Sequence, residues 1–342
     1  MKVSNHNPGR SLAVALALPF VLAGGPAAGG ETSREFGVYE YVVERAGQGV
    51  APAAEAIEAA LLRGGWRLLA RVDAGPPAGC KYQARVLAVL DPEYARKLMA
   101  ANPKTGPFAV VDRINVFQDE AGTQVAIVNA ESVNRTVLMN DSAYADLSRA
   151  HVEALRALVA GAVPGQASER EYGEKRAGGY IGKTMGVMAG GPFTDKIKDE
   201  AVVKTTDWRA VAAKLRQGLL RPGEKWGLHL VYELELAERE TVVFGCTGTP
   251  MDSKSFSIVG AGGDGARASY QCPGLAHAAA YPLEVVVTRQ GDAVSVRWVD
   301  AMYRMKMYFE DAGKWAFMTN MGMPGSIHDE LAGQIKVALG LP

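Results

Sequence analysis

The chain has few of the residues that most often carry chemistry. Only three cysteines, Cys80, Cys246 and Cys272, occur in 342 residues, and the five histidines, His6, His151, His229, His277 and His328, stand far apart. No Cys-x-x-Cys, His-Glu-x-x-His or Gly-x-Ser-x-Gly pattern is present, which leaves no recognisable catalytic constellation. Net charge is also missing, since Lys plus Arg and Asp plus Glu each number 37. A balanced chain has no electrostatic pull toward nucleic acid or an anionic membrane, so nucleic acid is not an expected partner. After residue 30 no apolar run approaches the about 20 residues that a membrane span needs.

What is present points to export. Lys2 and Arg10 make a positive start, residues 11–22 form a short apolar run, and small residues 24–30 offer a cleavage site. Residues 1–30 are therefore expected to be a secretory signal, with no transmembrane segment after its removal and the periplasm as the compartment. In an oxidising compartment Cys246 and Cys272 are candidates for a disulfide, with Cys80 left over; the alternative is three small buried apolar residues.

Hydrophobic periodicity runs through one series twice. Residues 38–44 read as a strand, and 53–63 as a helix stopped by Gly64 and Gly65. Residues 66–72 and 83–90 read as strands, and Asp91-Pro92 opens a short helix. Residues 114–117 and 125–128 make a hairpin, and an amphipathic helix with Leu147, Val152, Leu155 and Leu158 on one stripe closes the unit. The second series has a strand at 201–204, a helix at 208–220, strands at 226–236 and 241–246, a hairpin of 283–288 with 294–299, and a closing helix at 327–339. VAIVNA (residues 125–130) falls on VRWVDA (residues 296–301), Trp66 on Trp226 and Pro92 on Pro250. Independent signals agreeing in order and spacing read as a duplication.

The expected fold class is α+β. It comprises two tandem copies of a β-α-β-β-(α)-β-β-α unit, with antiparallel sheets, helices on one face and a pseudo-two-fold axis. The expected boundaries are 36–162 for the first copy, 163–199 for a Gly-rich linker and 200–342 for a diverged second copy.

The first copy, YQARVLAVLDPEYARKLMAANPKTGPFAVVDRINVFQDEAGTQVAIVNA from Tyr82, resembles the domain of unknown function (DUF) 302 family. FGCTGTP, residues 244–250, looks like a more distant member. The resemblance covers most of 38–160 and, weakly, 200–339. It implies a TATA-box-binding-protein-like α+β fold, commonly dimeric, and is nearly silent on function. The family's cysteine position is filled by Val89 or Leu90 in the first copy, so any role for that residue would belong to Cys246 in the second.

Met302, Met305 and Met307 fall in and just after an expected strand, the last two sharing a face at period two. Thioethers suit Cu(I), and Cys246 and His277 could add ligands. The plainer reading is that flexible Met side chains fill the core. Cys246 as a catalytic nucleophile would need to be an accessible, low-pKa thiolate. Residues 260–265 fit Gly-x-Gly-x-x-Gly after the strand-like residues 255–259. No helix follows to hold a pyrophosphate, so they read as a turn or insertion. Gly178, Gly182, Gly186 and Gly190 recur every four residues inside the linker.

The function these observations imply is an exported, non-catalytic binding or accessory protein. Its small ligand or exported protein partner would sit near the interface of the two repeats, with no cofactor. The alternatives are a copper or redox accessory protein using Met and Cys ligands, and a Cys-dependent thiol enzyme.

Overall fold

In the computed structural model, which describes residues 34–139, 142–178 and 190–342, strand β1 (Phe36–Ala46) is buried at its first eight positions. A strand without in-out alternation needs cover on both faces of its sheet. One cover is helix α1 (Val50–Arg63), which turns Ala53, Ile57, Ala60 and Leu61 inward. The helix stops at Gly64, whose N–H returns to the Ala60 carbonyl, and Gly65 follows at φ +85°, where a Cβ would be strained. The expected signal, residues 1–30, and Gly182 and Gly186 of the glycine recurrence lie outside the described residues.

The first half continues through β2 (Arg67–Asp73), β3 (Ala84–Leu90) and α2 (Pro92–Ala101). The Asp91 side chain caps α2 by accepting from the Glu93 N–H. Then come β4 (Asp112–Asp119), β5 (Gly122–Val128), α3 (Ala130–Val137) and α4 (Ala145–Ala162). Within the stretch expected to be a linker, β6 (Gln166–Ala167) and β7 (Glu171–Arg176) form and pair with β1. The second half holds β8 (Ile197–Val203), α5 (Trp208–Leu219), β9 (His229–Leu236), β10 (Thr241–Thr247) and α6 (Thr249–Val259). It closes with β11 (Leu283–Gln290), β12 (Ala293–Val299), α7 (Ala301–Phe309), α8 (Lys314–Thr319) and α9 (Gly322–Leu339).

Among the described residues the strands form two antiparallel sheets. The first runs β2-β3-β4-β5-β1 with β6 and β7 against β1, and the second runs β9-β10-β11-β12-β8. Term for term, five strands of one sheet follow the order of the other. The fold is α+β. Helices α1 and α4 pack together over the outer face of the first sheet, and α5 and α9 do so in the second half. Under α1 and α4 lies a small separate core with Ile57, Leu61, Leu87, Ile114 and Ile127. The larger core includes Tyr39, Val86 and Phe117 from the opposite face of the first sheet together with Phe244, Val286 and Trp298 of the second. The two halves also exchange cover. The turn Gly106–Phe108, after α2, lies on β10 and β11, while Pro273–Ala280, after α6, lies on β3, β4 and β5. Residues 34–342 pack as one compact unit.

Two local expectations are corrected. Residues 301–309 are helical, because the VRWVDA motif ends its strand at Val299 and the Asp300 carboxylate caps the next turn, accepting from Tyr303 N–H at 3.1 Å. At about 100° per residue Met305 and Met307 then point roughly 200° apart and share no face. Residues 255–259 belong to α6, whose first turn Pro250 opens.

Candidate functional site

The seam between the halves carries a cluster of buried polar groups. Arg113, from β4, ion-pairs with Glu284, from β11, and its Nη2 donates to the Tyr308 hydroxyl at 2.5 Å. Arg304, from α7, donates to Glu284 at 3.1 Å and to the carbonyls of Ala280 and Pro282 at 2.7 and 3.1 Å. Burial pushes the Glu284 carboxyl up, but Arg304 and Arg113 outweigh it and hold the group below the usual carboxylate range. Asn115 donates to the Leu275 and Ala276 carbonyls at 2.8 and 3.1 Å, and Tyr172 to the Ala276 carbonyl at 2.6 Å. These bonds seat the Pro273–Ala280 turn on the first sheet. Most polar atoms of the seam are thus paired, the form in which buried polar residues are tolerated, while Arg113 Nε and Asn115 Oδ1 have no hydrogen-bond partner.

At one end of the first sheet the loop of residues 260–272 crosses from the second half. Its Asp264 accepts from the Tyr41 hydroxyl at 2.9 Å and pairs with Arg170 at 2.9 Å, while Arg267 ion-pairs with Asp119. The guanidinium groups of Arg170 and Arg267 lie 4.1 and 5.1 Å from the Tyr41 ring centre. A disulfide joins Cys272 in this loop to Cys80 between β2 and β3, 192 residues away. The expected Cys246–Cys272 bond is therefore not made. Cys246 is held near the end of β10, laddered to Leu283 and Leu230, whereas the loop delivers the Cys272 Cα to 5.9 Å from that of Cys80.

Beside this strap an open groove of about 550 Å³ is cut into the end of the first sheet. Gly47 and Gly49 just before α1, Lys81, Tyr82, Gln118, Asp119 and Thr123 line it. Gly49 caps α1 without a side-chain hydrogen bond. Lys81 and Tyr82 follow directly on the disulfide-bonded Cys80, so the crossing loop sets the position of one wall.

The residues singled out in the sequence are dispersed. Cys246 is fully buried, and burial, then the Glu284 charge, pushes its thiol up to about 12. At neutral pH it is a protonated thiol out of reach of solvent. His277 is also fully buried, its Nε2 at 3.0 Å from Asp311, which in turn accepts from the Gly263 N–H at 2.7 Å. Met302 is half-buried, and Met307 is in the large core. Met305 lines a crevice with Phe309, Phe317, Met321 and Pro324, whose two adjoining voids measure about 20 and 10 Å³. Such voids hold a water molecule at most. Among the described residues no three of His, Cys, Asp and Glu gather as metal ligands, and no helix is long and apolar enough to cross a membrane. Asp119, Asp264 and Arg267 were not singled out by sequence, and Cys80 was read as the unpaired cysteine, since each owes its place to a residue in the other half.

The sequence matches no family model and no curated protein. Among solved structures it is similar to the crystal structure of an uncharacterized conserved protein DUF302 from Bacillus stearothermophilus. The two share 17% identity at a TM-score of 0.32, over 37% of this chain and 98% of that one.

Proposed function

We propose that the chain is a non-catalytic binding protein built from two diverged copies of one α+β unit, related by a pseudo-two-fold axis as in the DUF 302 resemblance. The groove beside the inter-half strap holds its ligand. The shared strand order, the caps Asn129 and Asp300 at equivalent strand-to-helix junctions, and the reciprocal cover of the two sheets support the duplication. One observation carries the binding reading. Most polar groups of the seam are paired with one another, whereas the groove is an open hollow lined by Lys81, Tyr82, Gln118 and Asp119. That lining suits a small ligand that carries polar groups. The half-buried disulfide fits work in an oxidising compartment such as the periplasm.

A thermal-shift and ligand-detected NMR screen of small polar metabolites on the full chain tests this. Any hit is expected to weaken at least tenfold in Tyr82→Ala and Gln118→Ala while the melting temperature of the free protein stays put. Binding unchanged in both variants would move the site away from the groove, and a screen without hits would reject a small polar ligand.

A further inference from the structure

The groove beside the strap is uneven in its charges. Of the residues that line it, Lys81 and Asp119 are charged, and only the second is spent within the chain. Asp119 is buried; its Oδ1 accepts from the Ala121 N–H at 2.8 Å and from Gln124 Nε2 at 3.1 Å, and its other oxygen ion-pairs with Arg267. The carboxylates that flank the lining in sequence are also engaged. Glu44 accepts from Arg170 at 2.9 Å and from Ser168 at 2.8 Å, and Glu120 from the Gln271 N–H at 2.7 Å. The first turn of α1 brings no acidic residue. Lys81 is exposed and, among the described residues, enters no ion pair. Its ammonium stands 5.2 Å from the Tyr82 ring centre. The backbone that carries it is pinned, since Cys80 is bonded to Cys272 and the Gly79 carbonyl accepts from Gln271 Nε2 at 3.2 Å.

We infer that the ligand of this groove is a small monocarboxylic acid, with its carboxylate on the Lys81 ammonium and its neutral polar groups against Tyr82 and Gln118. The inference rests on the groove being the ligand site and adds the ligand's charge. Three features select this class. The one lining cation is unpaired and the one lining anion is neutralised within the chain. An amine would therefore find no free carboxylate, whereas an acid finds a ready ammonium. A single ammonium balances a single negative charge. A phosphate monoester, at about −1.5 to −2 near neutral pH, would leave charge uncompensated in the groove. Apart from Lys81 and Asp119 the lining is neutral, and the Gln118 amide both donates and accepts, which fits hydroxyl or amide groups on the rest of the molecule. A volume of about 550 Å³ leaves room for such a body beside Tyr82.

Ligand-detected NMR titrations of the full chain at low salt test the assignment. Gluconate, lactate and acetylglycine are each set beside the primary amide of the same acid, with inorganic phosphate as a further probe. At least one acid is expected to bind about fivefold more tightly than its amide, the upper range for one exposed ion pair. Lys81→Gln should erase that preference and Lys81→Arg should keep it, with the melting temperatures of both variants matching the wild type because Lys81 is exposed. Amides that bind as well as their acids, and lose affinity in Gln118→Ala, overturn the inference while leaving the groove as a ligand site. An acid preference lost in Lys81→Gln, with affinity untouched in Tyr82→Ala and Gln118→Ala, would put the acid on Lys81 outside the groove and overturn both readings. Phosphate binding more tightly than every acid, a preference that survives Lys81→Gln, or no binding by any acid overturns the inference as well.

Discussion

His151, on α4, sits between two carboxylates: its Nε2 is 2.9 Å from both Asp112 oxygens and its Nδ1 is 3.5 Å from Asp91. Its ring stacks on Tyr94 at 3.7 Å and on Trp66 at 5.2 Å. Burial pushes the imidazole pKa down, but Asp112 and Asp91 outweigh it and raise it to about 9. A pKa raised above that of the unfolded chain stabilises the fold fully below about 6.5 and loses that contribution as pH climbs to about 9. The contribution is on the order of 3 kcal/mol, and His151→Gln should remove the pH dependence of stability in that window, as read by urea melts at pH 6 to 9.5. Asp252 behaves differently. It is buried on α6, accepting from Thr247 Oγ1 at 2.7 Å and from the Gly75 N–H of the first half at 3.2 Å. Burial raises its carboxyl to about 7, against the opposing pull of those two donors. Its contribution is therefore complete below about pH 4 and lost by about 7, so Asp252→Asn should flatten the melts between pH 4 and 7 and leave the alkaline window alone. Swapped windows in the two variants would refute both assignments.

Elements were the most legible level. The β4–β5 hairpin, the Gly64-Gly65 stop, the Asp91-Pro92 helix start and the closing helices all follow from signals within about ten residues. The errors have a common cause. Met305 and Met307 flank Lys306 at a period of two that reads as a strand, and only the Asp300 cap and the packing of the helix decide otherwise. The loop 260–272 looked like an insertion because its anchors, Asp119, Tyr41, Arg170 and Cys80, all lie in the first half. Its disulfide closes a span of 192 residues, so reduction removes a constraint worth up to about 5 kcal/mol by chain entropy. The paired variant Cys80→Ser/Cys272→Ser is expected to melt well below the wild type. A reducing agent should lower the wild-type melting temperature to the same value and leave the variant unmoved.

At the scale of the molecule, the first half encloses only the small core under α1 and α4, and the larger core is shared between the halves. The inner face of the first sheet is covered by Pro273–Ala280, and β10 and β11 are covered in part by Gly106–Phe108. Separated, residues 34–178 would leave Arg113, Asn115 and Phe117 facing water, and residues 190–342 would strand Glu284 and Arg304 without Arg113. Each fragment is expected to bind a hydrophobic dye and melt without a sharp transition, and mixing the two should restore cooperativity. A cooperative melt of either fragment alone would show that the seam is dispensable for folding.

Sequence alone determined the α+β class and the order of the elements, because strands, helices, caps and turns are dictated by residues a few positions apart. Tertiary structure alone decided the seam, the strap and the disulfide. Arg113 meets Glu284 across 171 positions, Cys80 meets Cys272 across 192, and Tyr41 meets Asp264 across 223. No local pattern encodes such pairs. They exist because packing one sheet against the cover supplied by the other half leaves each buried charge a single place to find its counter-charge.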